Sequence, residues 1–305
     1  MGTTEKTAWI FPGQGAQKCG MGKDFYEKSK TAKDIFDEAS DALGLDMREL
    51  CFEENDRLDQ TEYTQAALVT TCLAITEALK ESLPAPDVTA GLSLGEYCAL
   101  VQAGGMQVMD AITTVRKRGI FMQNAVPDGK GAMSAVLGLS GELAETAIAG
   151  LEDVYVANYN CPGQVVITGY LQAVEKASEI LLEAGAKRVL PLKVSGPFHS
   201  PMMKEAGIRL GQELENIEFR TLHIPYVANV TAEYVKDISK TRKLLEDQVA
   251  SPVRWQQSME RMIANGVTTF VEIGPGKTLA GFLRKISRDV KVINIAAWED
   301  QGKLL

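Results

Sequence analysis

Asp87-Val88-Thr89-Ala90-Gly91-Leu92-Ser93-Leu94-Gly95-Glu96-Tyr97 compresses a strand, a tight turn and the start of a helix into one short segment. Val88 to Ala90 is a short apolar run, and Glu96 to Ala103 continues with helical character until Gly104-Gly105 stops it. Glycines on either side of Ser93 let strand and helix pack closely, which puts the serine on a strained, exposed elbow. A serine hydroxyl is a poor nucleophile at neutral pH; chemistry needs that exposure, a base, and donors aimed at an oxyanion. The G-x-S-x-G spacing by itself arises by chance in about one chain in ten of this length. Gly138-Leu139-Ser140-Gly141-Glu142 is such a near miss. At this level Ser93 is either a nucleophile or a plain strand-to-helix turn.

The surrounding chain repeats the same alternation. Thr7 to Phe11 (TAWIF) reads as a buried strand running into Pro12-Gly13-Gln14-Gly15, and Asp24 to Leu43 and Thr61 to Leu79 each carry a helical period. Pro225 to Ala228, Thr269 to Ile273 and Val292 to Ala296 supply later strands. Strands alternating with helices predict an α/β fold with a parallel sheet covered on both faces. Between 129 and 197 the pattern changes. Ala132 to Leu137, Val154 to Tyr159, Gln164 to Thr168 and Arg188 to Val194 read as strands, with helices at Glu142 to Ala149 and Leu171 to Ala184. That strand-helix-strand-strand-helix-strand order is ferredoxin-like. The expectation is a small domain at 129–197 inserted into a larger α/β domain formed by 1–128 and 198–305.

Composition narrows the classes. A chain of 305 residues, 45% hydrophobic and 24% charged, can bury a large core and has no disordered bias. The net charge of −8 speaks against a nucleic-acid backbone as partner. Five scattered cysteines and two histidines, His199 and His223, form no ligand spacing, so neither a zinc site nor a disulfide framework is expected. Glu5 and Lys6 stand where a signal peptide needs an apolar run, and the apolar window at Ala66 to Ile75 is too short to span a bilayer. The chain reads as soluble and cytoplasmic, with no membrane partner.

The chain has only two histidines to serve Ser93 as base. His199 lies in the loop Gly196-Pro197-Phe198-His199-Ser200-Pro201 at the exit of the small domain, whereas His223 opens an apolar strand; His199 is the preferred partner. Gly13-Gln14-Gly15 lacks the third glycine of a dinucleotide fingerprint, since position 18 is lysine. Gly276-Lys277-Thr278 lacks the earlier glycine of a phosphate loop, since Val271 holds that place, so both nucleotide readings fail.

Six strings together, in order, cover almost the whole chain: Phe11-Pro12-Gly13-Gln14-Gly15, the GxSLGEY string at Ser93, Arg118-Gly119-Ile120-Phe121-Met122-Gln123, Pro162-Gly163-Gln164-Val165-Val166, Gly196-Pro197-Phe198-His199-Ser200 and Gly274-Pro275-Gly276-Lys277. They resemble the malonyl-CoA:acyl-carrier-protein transacylases. The resemblance implies an α/β-hydrolase-like domain with a ferredoxin-like insertion. It also implies a malonyl thioester attacked by Ser93, with His199 as general base and then general acid, and transfer of the malonyl ester to the pantetheine thiol of holo-acyl carrier protein in a ping-pong cycle. Backbone N–H groups of Gln14 and Leu94 would hold the oxyanion, and Arg118 would grip the free malonyl carboxylate with its fork. Read alone, Arg118 is one cation in the run Arg116-Lys117-Arg118, and periodicity does not single it out. Gln248 matches the position whose backbone carbonyl accepts a hydrogen bond from the histidine, and Gln65 and Asn160 match positions near the site. The implied reaction needs no metal or cofactor, coenzyme A being part of the substrate, and nothing in it demands more than a monomer.

Leu92 departs from the pattern, which usually has histidine before the serine. Phe198 is the residue of malonyl-using members, where relatives taking branched units commonly carry a smaller side chain. Alternative readings are an acyltransferase serving a polyketide assembly line, a serine esterase or thioesterase, and a non-catalytic carrier-binding scaffold. Lys187, Arg188, Lys193 and the Arg284-Lys285-Arg288 group are candidate contacts for an acidic carrier.

Overall fold

The computed structural model describes residues 5–127, 129–194 and 196–304. Ten strands occur among them: β1 Lys6–Phe11, β2 Val88–Gly91, β3 Gly131–Leu137, β4 Val154–Cys161, β5 Gln164–Tyr170, β6 Arg188–Pro191, β7 Tyr226–Val227, β8 Tyr234–Val235, β9 Val267–Ile273 and β10 Lys291–Ile295. The larger sheet has the order β10-β9-β1-β2-β7-β8. It is parallel throughout except for the antiparallel β7–β8 hairpin at its edge.

Side-chain alternation along β1 shows why helices must cover both faces. Trp9 and Phe11 enter one core with Val271, Ile273 and the buried side chains of helices Lys30–Leu43, Thr61–Leu79 and Val108–Gln123. Ala8 and Ile10 enter the other with Val88, Ala90, Met259 and Leu283, the last two from helices Trp255–Ala264 and Thr278–Ile286. Helix Thr61–Leu79 is buried nearly all round, its threonines and Gln65 included, and correspondingly sits in the interior.

The smaller sheet is antiparallel, with the order β4-β5-β3-β6. With helices Gly141–Ile148 and Leu171–Glu183 it forms the expected ferredoxin-like arrangement. All its strands come from 131–191. Val253, from the larger unit, pairs in parallel with Asn158 of β4: Tyr159 N–H donates to the Val253 carbonyl at 2.9 Å and Val253 N–H to Ala157 at 2.8 Å. Residues 1, 128 and 305, which bound the two expected units, lie outside the described residues.

Several elements differ from expectation. Asp24 to Leu43 is two helices, Lys23–Lys28 and Lys30–Leu43, because Ser29 adopts extended backbone and its hydroxyl accepts the Ala32 N–H as an N-cap. Asn160 and Cys161 belong to β4 and not to a loop, leaving Pro162-Gly163 as the turn. β6 ends at Pro191, short of the expected Val194, although the Leu192 N–H still donates to the Met133 carbonyl of β3 at 2.9 Å. His223 does not open a strand: it is exposed in a bend, three residues before β7.

Candidate active site

The elbow forms where β2 passes beneath helix Gly95–Gln102. A Cβ on Gly91 would lie 1.9 Å from the Gly95 carbonyl carbon, and one on Gly95 would lie 2.3 Å from the Phe11 carbonyl oxygen, so both positions require glycine. Ser93 between them holds φ at +50°, a left-handed conformation costing about 1–3 kcal/mol that the packed surroundings enforce.

Ser93 Oγ lies 2.7 Å from His199 Nε2, and His199 Nδ1 lies 2.9 Å from the Gln248 backbone carbonyl. A carbonyl only accepts, so Nδ1 carries the proton and Nε2 presents its lone pair to the serine. Burial pushes His199 down to about 4, the nearby charge of Arg118 adding to the effect, so the imidazole is neutral near pH 7. His199 also has positive φ, at +60°. His223 makes no contact with this site; its backbone N–H donates to Ala103.

Arg118 comes from the interior face of helix Val108–Gln123 and is 1% exposed. It donates to Gln65 Oε1 at 2.7 Å, to Gln248 Oε1 at 3.0 Å and to Ser93 Oγ at 3.2 Å. Those bonds use three of the five N–H donors of a guanidinium; Nε–H has no partner, and no carboxylate forms an ion pair with it among the described residues. Arg116 is different, since it pairs with Glu62 at 2.8 Å. A buried cation with spare donors in the wall of a chamber is poised for an anion.

Ser93, His199, Arg118, Gln14, Leu94 and Phe198 all line one chamber of about 230 Å³, with Gln65 and Asn160 in its wall. Phe198 and Asn160 are buried, and Asn160 Oδ1 has no hydrogen-bond partner. Gln14 anchors its side chain on Thr61 Oγ1 at 3.0 Å. Gln248 sits at the end of helix Thr241–Val249 and contributes its side chain as well as its carbonyl. Leu92 lies in the same wall and packs on the second core.

Two contributors were not singled out from sequence. Asn229, just past β7, takes the Ser93 N–H on Oδ1 at 2.5 Å and donates Nδ2 to the Gly91 carbonyl at 2.7 Å. Glu96 is fully buried beneath the elbow and accepts from Gln248 Nε2 and from the Asn229 backbone N–H. The only local signal was the acidic residue in the first turn of an otherwise apolar helix. Among the described residues, no group of three or more His, Cys, Asp or Glu side chains could hold a metal ion.

A serine on such an elbow, joined to a histidine and faced by a buried arginine, defines an acyl-transferring class of protein. The acyl transferase domain family model matches residues 8–302. A malonyl CoA-acyl carrier protein transacylase of Bacillus subtilis (strain 168) is 46% identical over 296 residues, 95% of this chain and 93% of that protein. The crystal structure of a malonyl CoA-acyl carrier protein transacylase from Clostridium perfringens superposes with a TM-score of 0.94 at 42% identity, covering 98% of this chain and 95% of the other. A malonyl-transacylase in complex with its type II polyketide-synthase acyl-carrier protein gives 0.95 at 38% identity, with 99% of both chains covered. The chain belongs to the acyl transferase domain family and, within it, to the malonyl CoA-acyl carrier protein transacylases.

Proposed function

We propose that this protein moves a malonyl group from malonyl-CoA to the phosphopantetheine thiol of holo-acyl carrier protein, supplying fatty-acid synthesis, through an ester on Ser93. The observation that carries the reading is Arg118. Its buried guanidinium has unused donors and touches the hydroxyl that would be acylated, so an acyl group with a carboxylate two bonds beyond its carbonyl satisfies both at once. An acetyl group leaves the cation unanswered.

In the first half-reaction His199 Nε2 takes the Ser93 proton as Oγ bonds to the thioester carbon. Backbone N–H groups of Gln14 and Leu94, neither of which meets a protein acceptor among the described residues, would hold the oxyanion. The C–S bond then breaks and the imidazolium protonates the departing thiolate. In the second half-reaction the carrier thiol gives its proton to His199, attacks the ester and leaves as malonyl-carrier, while Ser93 recovers its proton. The Gln248 carbonyl orients the imidazole and disperses its transient charge, the task a carboxylate performs in serine triads.

Ser93, His199, Arg118 and Gln248 all come from one chain, so the site is complete in a monomer. The proposal places the protein in the cytoplasm; its five cysteines are free, and among the described residues no helix is long and apolar enough to cross a membrane. Leu192 and Val194, either side of exposed Lys193, line the chamber, which favours that rim with Lys187 and Arg188 for carrier docking. Likeness to the transacylase bound to a polyketide carrier keeps a second carrier class in view, and competition between the two carriers distinguishes them.

The deciding test is intact-protein mass spectrometry after mixing with malonyl-CoA or acetyl-CoA, followed by holo-carrier. The expected result is a malonyl adduct that requires Ser93, forms poorly from acetyl-CoA and moves to the carrier. Release of free malonate without transfer indicates a hydrolase instead, and no adduct at all indicates a scaffold.

A further inference from the structure

Two amide side chains hold the nucleophile elbow, and both hang from one buried carboxylate. Asn229 clamps the elbow from either side of Ser93, at the Ser93 N–H and the Gly91 carbonyl. Gln248 closes the third point: its Nε2 donates to the Ser93 carbonyl at 3.0 Å. The same Gln248 accepts from Arg118 on Oε1 and from His199 on its backbone carbonyl. Glu96 Oε2 accepts from Gln248 Nε2 at 2.7 Å and from the Asn229 backbone N–H at 3.0 Å.

That connectivity has a directional consequence. The Gln248 amide stands between a cation and an anion, oxygen toward Arg118 and nitrogen toward Glu96, so turning it over would set each end against the wrong charge. A left-handed Ser93 persists only where its surroundings over-determine it, and the groups doing so are these two amides. Glu96 makes no hydrogen bond to Ser93 Oγ or to the His199 ring.

We infer that Glu96 is a positioning residue of the malonyl transfer proposed above: through Asn229 and Gln248 its carboxylate fixes the Ser93 backbone, the acceptor for His199 and one partner of Arg118. The ionisable groups that face it are Arg118 from helix Val108–Gln123, Tyr226 from β7 and Tyr97 from its own helix. Burial raises Glu96 to about 7, against the lowering effect of its hydrogen bonds and of Arg118. Oε1 has no partner, so a proton settles there and leaves Oε2 accepting both N–H groups as a neutral oxygen, which grips them less strongly. Protonation therefore loosens the clamp without dismantling it.

The test is single-turnover malonylation of Ser93 across pH 5–9 for the wild type, E96Q and E96A, with Ser93→Ala as the blank. Loss of both N–H acceptors in E96A is expected to lower the saturated acylation rate about 100-fold, the cost of a misplacement of about 1 Å, with KM for malonyl-CoA within about threefold. E96Q keeps an oxygen of the same placement. It is expected to recover to within about tenfold of the wild type and to lack the inflection near pH 7 that the wild type shows. A merely structural carboxylate would change the melting temperature and leave that inflection in place. An E96A rate within threefold of the wild type, a wild-type profile flat through pH 7, or an E96Q profile that keeps the inflection overturns the inference; if E96A does not fold, the E96Q profile decides alone. Absence of any wild-type adduct would instead overturn the malonyl-transfer reading on which this one rests.

Discussion

In the proposed reaction R118A removes the group that meets the malonyl carboxylate and one donor to Ser93 Oγ, while the Ser93 Oγ–His199 and His199–Gln248 contacts remain. The guanidinium has donors to give a carboxylate in two parallel charge-assisted bonds, each contributing about 1.5–3 kcal/mol. Their loss amounts to about 3–6 kcal/mol, or roughly 10²- to 10⁴-fold in kcat/KM for malonyl-CoA. Acetyl-CoA has no carboxylate to lose, so its kcat/KM is expected to change less than about tenfold and selectivity to collapse by the remainder. R118K restores a charge without the fork and is expected to fall between. Stability moves little, because leaving Gln65 Oε1 and Gln248 Oε1 without a donor costs about 1–3 kcal/mol each while a desolvated cation is removed. The assay is steady-state transfer to holo-carrier with each thioester, alongside urea unfolding to exclude a folding defect. A malonyl kcat/KM within tenfold of the wild type, or an acetyl rate falling in parallel with it, refutes the assignment of Arg118 to the carboxylate.

Three further outcomes follow from the same geometry. His199 is depressed to about 4 and Glu96 raised to about 7, so His199 destabilises the fold as pH falls below 6.5 while Glu96 destabilises it as pH rises above 4.5. The two oppose each other in wild type; the stability of E96Q relative to wild type is expected to improve by about 3 kcal/mol between pH 4.5 and 7.5, and urea titrations showing no such trend would contradict the burial argument. Gly91→Ala forces a Cβ to 1.9 Å from the Gly95 carbonyl carbon and is expected to cost about 3 kcal/mol or more in the same titration; an unchanged midpoint speaks against the close packing of the elbow. Leu92→His replaces a wall side chain that makes none of the relay's hydrogen bonds, so turnover is expected to change by less than about one order of magnitude, and a larger change in a kcat measurement gives position 92 a catalytic role.

What sequence could reveal tracks the range of the interactions involved. Elements written by local period or by glycine placement were legible: β1, helix Thr61–Leu79, the Gly91–Gly95 elbow and the ferredoxin-like order of the insertion. Periodicity is blind to capping, which is why Lys23–Lys28 and Lys30–Leu43 read as one helix: the apolar spacing runs through Ser29, while the Ser29 hydroxyl breaks the backbone ladder. The two-residue strand β8 lies below any period. In the site, Ser93 announces itself by its glycines, but Gln248 is 155 residues away and Asn229 136, so neither leaves a local trace. Arg118 stood out only through resemblance, and its burial, unlike the paired Arg116 two residues earlier, is a property of the fold.

The chamber straddles a seam. The groups proposed to react or bind, Ser93, Arg118 and His199, come from segments outside the smaller sheet, whereas Met133, Ala135 and Val166 from that sheet supply another part of the wall. The Asn158–Val253 pairing ties β4 of the smaller sheet to the backbone just ahead of helix Trp255–Ala264 across that seam. One wall of the acyl chamber is therefore carried by a stretch of chain separate from the proposed proton relay: changes in β3 and β5 can alter the room for an acyl group without touching Ser93, His199 or Gln248.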